Sequence, residues 1–356
     1  MKLEKILIIN IFGIGDVLFT TPLIENLKNF NSQMSIGYLC NRRAEPVLRT
    51  NPKIDKIFLY ERDEFVAYAK KSKILYWKKI KDLIDEIRKE QYDTVLDVSM
   101  NGLTGFLSWA AGIKKRVGLN YKNRNPFLNR KIVFKGYEER HVVEYYLDLL
   151  RTLEIPITSN ELKLYLESGD EAWVDQFLKN KGLNPSLPLM GIVPGGGASW
   201  GKEALYKRWP AESYSKLADK MVEKFNAQII LMGASEEKEL CLTVAGGMKK
   251  PPVFACGETT ISRFAALARR CRVNIVNDGG PLHVAVAVGA KTVSIFGPVD
   301  EKVYGPYPHG NHQVVTKNLA CRPCYRNFRR AACEHISCLK DISVEDVFNT
   351  VNEVMS

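Results

Sequence analysis

Short runs of β-branched and leucine residues alternate along this chain with stretches whose apolar positions recur at helical spacing. Ile6–Asn10, Ile36–Leu39, Ile57–Tyr60 and Thr94–Val98 read as buried strands, with helices over Pro22–Phe30, Leu75–Glu90 and Leu103–Ala111 between them. A helix over Val142–Leu153 closes this first series. A second series follows, with strands at Leu189–Val193, Gln228–Met232, Val253–Ala255, Val273–Val276 and Thr292–Phe296. Its helices fall at Ala211–Phe225, Glu236–Gly246, Ser262–Ala268 and Pro281–Val288. Strands alternating with helices at this spacing imply an α/β fold built on parallel sheets wound on both faces. Two series predict two Rossmann-like domains, 1–160 and 161–342, facing a central cleft. The polar break at Ile155–Glu161 is the expected linker; strand-like Leu162–Leu166 and helical Glu171–Lys181 fit either side of it. A last helix over Val344–Val354, with Ser343 as its N-cap, occupies 343–356.

The 356 residues are 46% hydrophobic and 26% charged, the composition of a soluble globular protein. No apolar run approaches the roughly 20 residues of a membrane-spanning helix. The first apolar run, Ile6–Ile14, is short and meets Gly15-Asp16 with no small-residue cleavage site, so a cytoplasmic protein is expected. Composition alone does not explain the net charge of +11, but two clusters do. Between Gly112 and Arg140, nine basic residues, among them Lys114, Arg116, Lys122 and Arg124, face only Glu138 and Glu139. On a predicted helix, Lys70, Lys71, Lys73, Lys78, Lys79 and Lys81 are interleaved with Ile74, Leu75, Trp77 and Ile80. Such clusters either attract an anionic partner or form a solvated face.

Four segments could carry chemistry. Phe12-Gly13-Ile14-Gly15-Asp16 follows the first strand, where doubly wound sheets bind ligands. Gly13 and Gly15 allow close backbone approach, and Asp16 is either an acid at the site or a helix N-cap. The G-x-G-x-x-G spacing fails at Leu18, so this is not the dinucleotide fingerprint. Pro194-Gly195-Gly196-Gly197-Ala198-Ser199, with Lys207-Arg208-Trp209-Pro210 beyond it, offers amides, the Ser199 hydroxyl and the Lys207 cation to a phosphate. Asn277-Asp278-Gly279-Gly280-Pro281-Leu282-His283 opens a helix after a strand, again facing an anion. Two such loops in one domain point to a nucleotide diphosphate. Finally, Cys321, Cys324, Cys333 and Cys338 fall in a C-x2-C-x8-C-x4-C spacing that suits a structural zinc, or else free or redox-pairing thiols. Arginines around the cluster would favour thiolates.

These pieces, in order, resemble the bacterial ADP-heptose–lipopolysaccharide heptosyltransferases. The resemblance is carried by IINIFGIGDVLFTTPLIENLK, PGGGASWGKEALYKRWPAESYSKLA, LMGASEEKEL, NDGGPLHVAVAVGAKTVSIFGPVD and CRPCYRNFRRAACEHISC. It implies a GT-B fold, an N-terminal acceptor domain, a C-terminal nucleotide-sugar domain, and a last helix packing back on the first. By the same resemblance Asp16 is the candidate base, while Lys207, Asp278, Gly280 and His283 meet the donor's diphosphate. Glu236 or Glu237 would face the nucleoside, as would the turn at Thr259–Thr260. Gly279 stands where the family usually has Thr or Ser, so one hydroxyl contact is missing.

The expected chemistry is an inverting displacement at the anomeric carbon, with ADP-heptose as donor and an anionic glycolipid or glycan as acceptor. The chain has no D-x-D triplet to hold a catalytic metal, so no cofactor is expected for catalysis. The 112–140 basic stretch would face the acceptor, with peripheral contact at the inner membrane. A different GT-B transferase or a sugar-nucleotide epimerase is the enzymatic alternative. A non-catalytic nucleotide-sugar or RNA-binding protein is the other, although the basic run lacks the interleaved aromatics of a nucleic-acid stacking platform.

Overall fold

The first strand, β1 (Lys5–Ile9), is apolar after its first residue because helices cover both faces of the sheet at its centre. A computed structural model describes residues 3–197 and 201–356 and divides the chain into units Met1–Glu161 and Leu162–Ser356. In the first unit β1 is followed by α1 (Ile14–Leu18), α2 (Thr21–Phe30), β2 (Ser35–Cys40), α3 (Glu45–Leu48), β3 (Lys56–Leu59), α4 (Arg62–Lys71) and α5 (Lys73–Lys89). Then come β4 (Thr94–Asp97), α6 (Gly102–Ala110), β5 (Lys115–Tyr121), β6 (Arg130–Phe134) and α7 (Val142–Arg151). The strands form one parallel sheet in the order β3-β2-β1-β4-β5-β6. The order reverses between β1 and β4, so the crevice at their carboxyl ends is where a ligand is expected.

The second unit repeats the plan. It holds α8 (Asp170–Asn180), β7 (Leu189–Val193), α9 (Ala211–Phe225), β8 (Gln228–Leu231), α10 (Lys238–Gly246), β9 (Val253–Phe254), α11 (Ile261–Arg270) and β10 (Val273–Asn277). These are followed by α12 (Gly280–Ala287), β11 (Thr292–Ile295), α13 (Glu301–Tyr304), β12 (His312–Val315), a small hairpin of β13 (Tyr325–Arg326) and β14 (Arg329–Arg330), α14 (Ser337–Lys340) and α15 (Val344–Met355). Its parallel sheet runs β12-β11-β10-β7-β8-β9, and the reversal lies between β7 and β10. Both glycine-rich segments singled out in the sequence follow those two strands.

Two expectations are corrected. Leu162–Leu166 is not a strand; it runs extended beside α12, with Leu164 N–H donating to the Ala287 carbonyl at 3.2 Å. The last helix was expected on the N-terminal unit, but α15 buries Val347 and Val351 in the second unit's core, against α9 and β10–β12. Ser343 and Asp346 cap it reciprocally, and the Trp209 indole N–H donates to the Ile342 carbonyl at 3.0 Å just before it. An amphipathic helix goes where its apolar stripe finds partners, and those partners are here in its own unit.

Candidate active site

In the second unit the two glycine loops lie against each other, and a buried asparagine organises them. Asn277 ends β10. Its amide Nδ2 donates to the carbonyls of Pro194 (2.7 Å) and Gly195 (2.8 Å). Its Oδ1 accepts from the Trp209 backbone N–H (3.2 Å) and the Tyr214 hydroxyl (2.8 Å). One side chain thus fixes the loop after β7, the K-R-W-P segment and its own loop. The fit is close: a Cβ on Gly279 would stand 2.1 Å from the Gly196 carbonyl oxygen, so nothing larger than glycine fits with these backbones in place. This gives Gly279 a packing reason for departing from the hydroxyl residue usual in the family it resembles.

Lys207, at the end of the 3₁₀ turn Gly201–Lys207, meets Asp278 in an ion pair of 2.7 Å, and both side chains are largely buried. Gly279 N-caps α12, Gly280 begins it, and the buried His283 lies in its first turn. Lys207, Asp278, Gly279, Gly280 and His283 are therefore gathered at the β7/β10 switch point. Ser199 lies outside the described residues.

Glu236 and Glu237 are now distinguished. Glu236 is exposed, whereas Glu237 is buried. Glu237 Oε1 accepts from the amides of Gly196 and Gly197, both at 3.1 Å, and Oε2 from the Ala234 amide at 3.1 Å. The Arg208 guanidinium lies 3.6 Å from the same Oε1. Two amides expected to face a phosphate are thus turned to a carboxylate of the protein itself, which holds the loop in shape. Thr259 is half-buried, one residue before Thr260, the N-cap of α11.

In the first unit Asp16 sits in the first turn of α1, but Gly13 is the N-cap and Asp16 is not. A Cβ on Gly13 would meet Asp16 Oδ2 at an ordinary 3.6 Å, and φ there is an unstrained −71°. Among the described residues no contact demands glycine here, so the missing side chain leaves open space beside the carboxylate. The turn is held by Asn10, whose Nδ2 donates to the Asp16 carbonyl (2.9 Å), and by Asn41, which donates to the carbonyls of Ile11 (3.1 Å) and Phe12. Behind it, Tyr38, Tyr137 and Tyr146 are fully buried; burial raises their pKa values, with the Asp16 charge adding to the effect in each. They form a neutral floor.

Asp97, at the end of β4, is a second carboxylate at the switch point and, unlike the half-buried Asp16, is fully buried. It accepts from Ser99 N (2.8 Å), the Ser99 hydroxyl, the Thr104 hydroxyl (2.9 Å) and Asn125 Nδ2 (3.3 Å). Burial raises its pKa and these donors oppose the rise. Through Asn125 it fixes the turn that carries Lys122 and Arg124. Both of those are exposed and flank the Tyr121 ring at 5.0 and 5.5 Å. Lys114 is also exposed. Arg116 differs, because its guanidinium donates to the carbonyls of Phe127 (2.6 Å) and Ile113 (2.5 Å) and so closes the β5–β6 loop.

The zinc expectation is not met. Among the described residues no three His, Cys, Asp or Glu side chains are arranged to hold a metal ion. Cys338 is drawn into the apolar core beside Leu339 and Ile342, and burial pushes its thiol up to about 11. Cys324 is raised for the same reason, while Cys321 is exposed and Cys333 half-buried. Of the arginines expected to favour thiolates, Arg330 opposes the rise at Cys324 and Arg322 that at Cys338, but burial outweighs both, and each has partners of its own. Arg322 binds the Gly297 and Val299 carbonyls and Glu301, and Arg330 lies over the Tyr206 ring and pairs with Glu203.

A cavity of about 870 Å³ opens at the amino ends of β7, β8, β10 and β11, lined by Gln228, Arg272 and Lys291 among others. It is at the opposite end of the sheet from the glycine loops and holds none of the candidate residues.

Comparison with known proteins decides the family. Residues 80–335 match glycosyltransferase family 9 (heptosyltransferase). The chain belongs to this family. It is 29% identical over 224 residues to lipooligosaccharide heptosyltransferase 2 of Campylobacter jejuni, spanning 62% of this chain and 66% of that relative's length. A solved family 9 glycosyltransferase from Veillonella parvula superposes with a TM-score of 0.83 at 23% identity, over 100% of this chain and 98% of that one. The ADP-heptose LPS heptosyltransferase II of E. coli gives 0.76 at 21% identity, over 99% and 98%. The fold of this family 9 chain is accordingly GT-B, two Rossmann-like units, as the sequence implied. The sequence did not single out Asp97 or the tyrosines, nor the organising role of Asn277; it offers Glu237 only as an alternative to Glu236, for a nucleoside contact and not for holding the loop. The signal for Asn277 was a polar amide closing a strand directly before the phosphate-type loop.

Proposed function

We propose that the protein is an inverting glycosyltransferase that moves heptose from ADP-heptose onto a lipopolysaccharide-core-type acceptor. The observation that carries this is the Lys207–Asp278 pair beside the N-terminus of α12, a cation and a helix end at one switch point. In the reaction an acceptor hydroxyl attacks the anomeric carbon, Asp16 takes its proton, and the bond to the diphosphate breaks. The departing charge falls to Lys207, His283 and the amides at Gly279–Gly280, which supply what a divalent metal supplies elsewhere. The base faces Glu236 and Thr259. Lys114, Lys122 and Arg124 offer charge to acceptor phosphates, and Arg116 keeps their loop in place. Among the described residues no helix is long and apolar enough to cross a membrane. A membrane-held acceptor would be met peripherally, at the cytoplasmic face of the inner membrane.

Nucleotide sugars are compared as donors with a heptose-deficient lipopolysaccharide core as acceptor. The expected result is ADP release from ADP-heptose that requires the acceptor. Sugar isomerisation without acceptor would replace this reading by an epimerase. Thermal stabilisation by no nucleotide sugar would remove the enzyme reading altogether.

A further inference from the structure

The lysine-rich helix segment is not used by any of the chemistry above, and it borders a set of exposed aromatic side chains. Between Glu64 and Asp82 the sequence has six lysines and no acid. Lys79 and Lys81 pair with Asp82 and Asp85, whereas Lys70, Lys71, Lys73 and Lys78 are exposed and form no ion pair among the described residues. On the same stretch Ile74 is 84% and Trp77 55% exposed. Trp77 continues into Phe106 (6.3 Å between ring centres), and Phe106 into Trp109 (6.0 Å) and Phe127 (5.6 Å); Trp109 is itself 52% exposed. Three elements, α5, α6 and the β5–β6 loop, thus build one continuous aromatic surface with lysines at its edge.

We propose that this surface docks the protein on an anionic lipid bilayer. Amphipathic indoles settle at the level of lipid headgroups, an isoleucine so exposed gains from entering the acyl boundary, and lysines beside them meet anionic headgroups. The charge complement is one-sided, since acidic side chains are absent from the segment. The ring geometry opposes a nucleic-acid surface: Trp77 meets Tyr76 and Phe106 edge-on at 79° and 82°, so the faces close on one another and no parallel platform is left for bases. Because α5 carries the chain from the carboxyl end of β3 to the amino end of β4, its first turns lie toward the end of the sheet that bears Asp16. The inference deepens the reading of a membrane-held acceptor, rests on it, and assigns contact to a surface centred on α5 and α6 that meets the acceptor-facing 112–140 stretch only at Phe127.

The test uses the full chain with vesicles of phosphatidylcholine, with and without phosphatidylglycerol, and needs neither donor nor acceptor. Its failure would therefore leave the transfer reading standing. Co-sedimentation with the anionic vesicles only, a blue shift of tryptophan emission, and weakening by added salt are expected. Replacing Lys70, Lys71, Lys73 and Lys78 by Gln should lower vesicle affinity at least about tenfold. Trp77→Ala with Trp109→Ala should abolish the blue shift, and the milder Ile74→Ser should weaken binding with the thermal midpoint unchanged. Absence of binding to anionic vesicles, or binding that none of these variants changes, overturns the proposal. So does displacement of the vesicles by RNA, or self-association through the same face.

Discussion

Lys207 and Asp278 meet as a buried ion pair, Nζ to Oδ2 at 2.7 Å, where the two glycine loops of the second unit touch. A cation held this way is positioned before any ligand arrives. Lys207→Ala is expected to weaken nucleoside diphosphate binding at least about tenfold, 1.4 kcal/mol, with little effect on the nucleoside alone. It also strands the Asp278 carboxylate, so stability should fall by about 3 kcal/mol or more. Lys207→Met with Asp278→Asn separates the two effects. The double variant should regain stability and still bind the diphosphate poorly, as titration calorimetry and urea melts would report. Equal losses for nucleoside and diphosphate reject the assignment.

Glu237 tests a different point, that the loop after β7 is shaped by a carboxylate. Glu237→Gln keeps one acceptor oxygen but turns its NH2 donor toward either the Gly196 and Gly197 amides or the Ala234 amide, and is expected to cost about 1–3 kcal/mol in urea unfolding. Glu236→Gln, on an exposed side chain, should leave unfolding within about 0.5 kcal/mol of the parent.

That contrast shows how far residues can be read without coordinates. The 3₁₀ turn Ser235–Glu237 carries two adjacent acids, and nothing in the letters says which points inward. Central strands were legible because burial on both faces makes β1 and β7 nearly unbroken apolar runs and leaves β10 rich in β-branched residues. The strands β5, β6 and β12 were not. Lys115 and Arg116 open β5, the edge strand β6 shows most of Arg130–Phe134 to solvent, and the edge strand β12 begins His312-Gln313. Leu162–Leu166 failed in the opposite sense: it alternates like a strand but joins neither sheet. Asp278 and His283 stood out because they titrate, while Asn277, which ties the loops together, carries no charge to draw notice.

Gly279 makes a prediction against family habit. Gly279→Ser would restore a hydroxyl to the loop, yet its Cβ would fall 2.1 Å from the Gly196 oxygen. The peptides just before Gly196 are pinned by Asn277 and have little freedom to move away. The substitution should therefore cost about 1–3 kcal/mol in stability and weaken donor binding, both measurable by thermal melting with and without ADP. A variant as stable as the parent would mean that the loops are looser than their contact implies.

His312 on β12 links stability to pH. Burial, with the nearby His309 charge, pushes its pKa down from 6.5 to about 4, and its Nδ1 lies 3.0 Å from the Thr292 hydroxyl. The folded state holds the ring neutral while the unfolded chain protonates it near 6.5. Above pH 6.5 this contribution is fully present, and it is lost progressively as pH falls from 6.5 to about 4. The total is roughly 3 kcal/mol. His312→Gln should flatten the urea midpoint over that window, and an unchanged acid slope would place the sensitivity elsewhere.

Asp16 carries the strongest demand. As a base it must lose its function when it cannot take a proton, and Asp16→Asn keeps the shape while removing that capacity. Transfer should fall by two orders of magnitude or more, the scale of general base catalysis, while ADP-heptose affinity stays within about threefold. The fold should hold as well, because the N-cap of α1 is Gly13 and the turn is tied through the Asp16 main-chain carbonyl, which the substitution leaves in place. Stability and donor binding are thus internal controls for activity. Asp97→Asn gives the comparison. That carboxylate already takes four hydrogen bonds inside the protein, so its loss should destabilise the first unit and displace the Lys122–Arg124 turn before it touches the chemistry. If Asp16→Asn turns over within about tenfold of the parent, the proton goes elsewhere, and Asp16 only shapes the turn after β1.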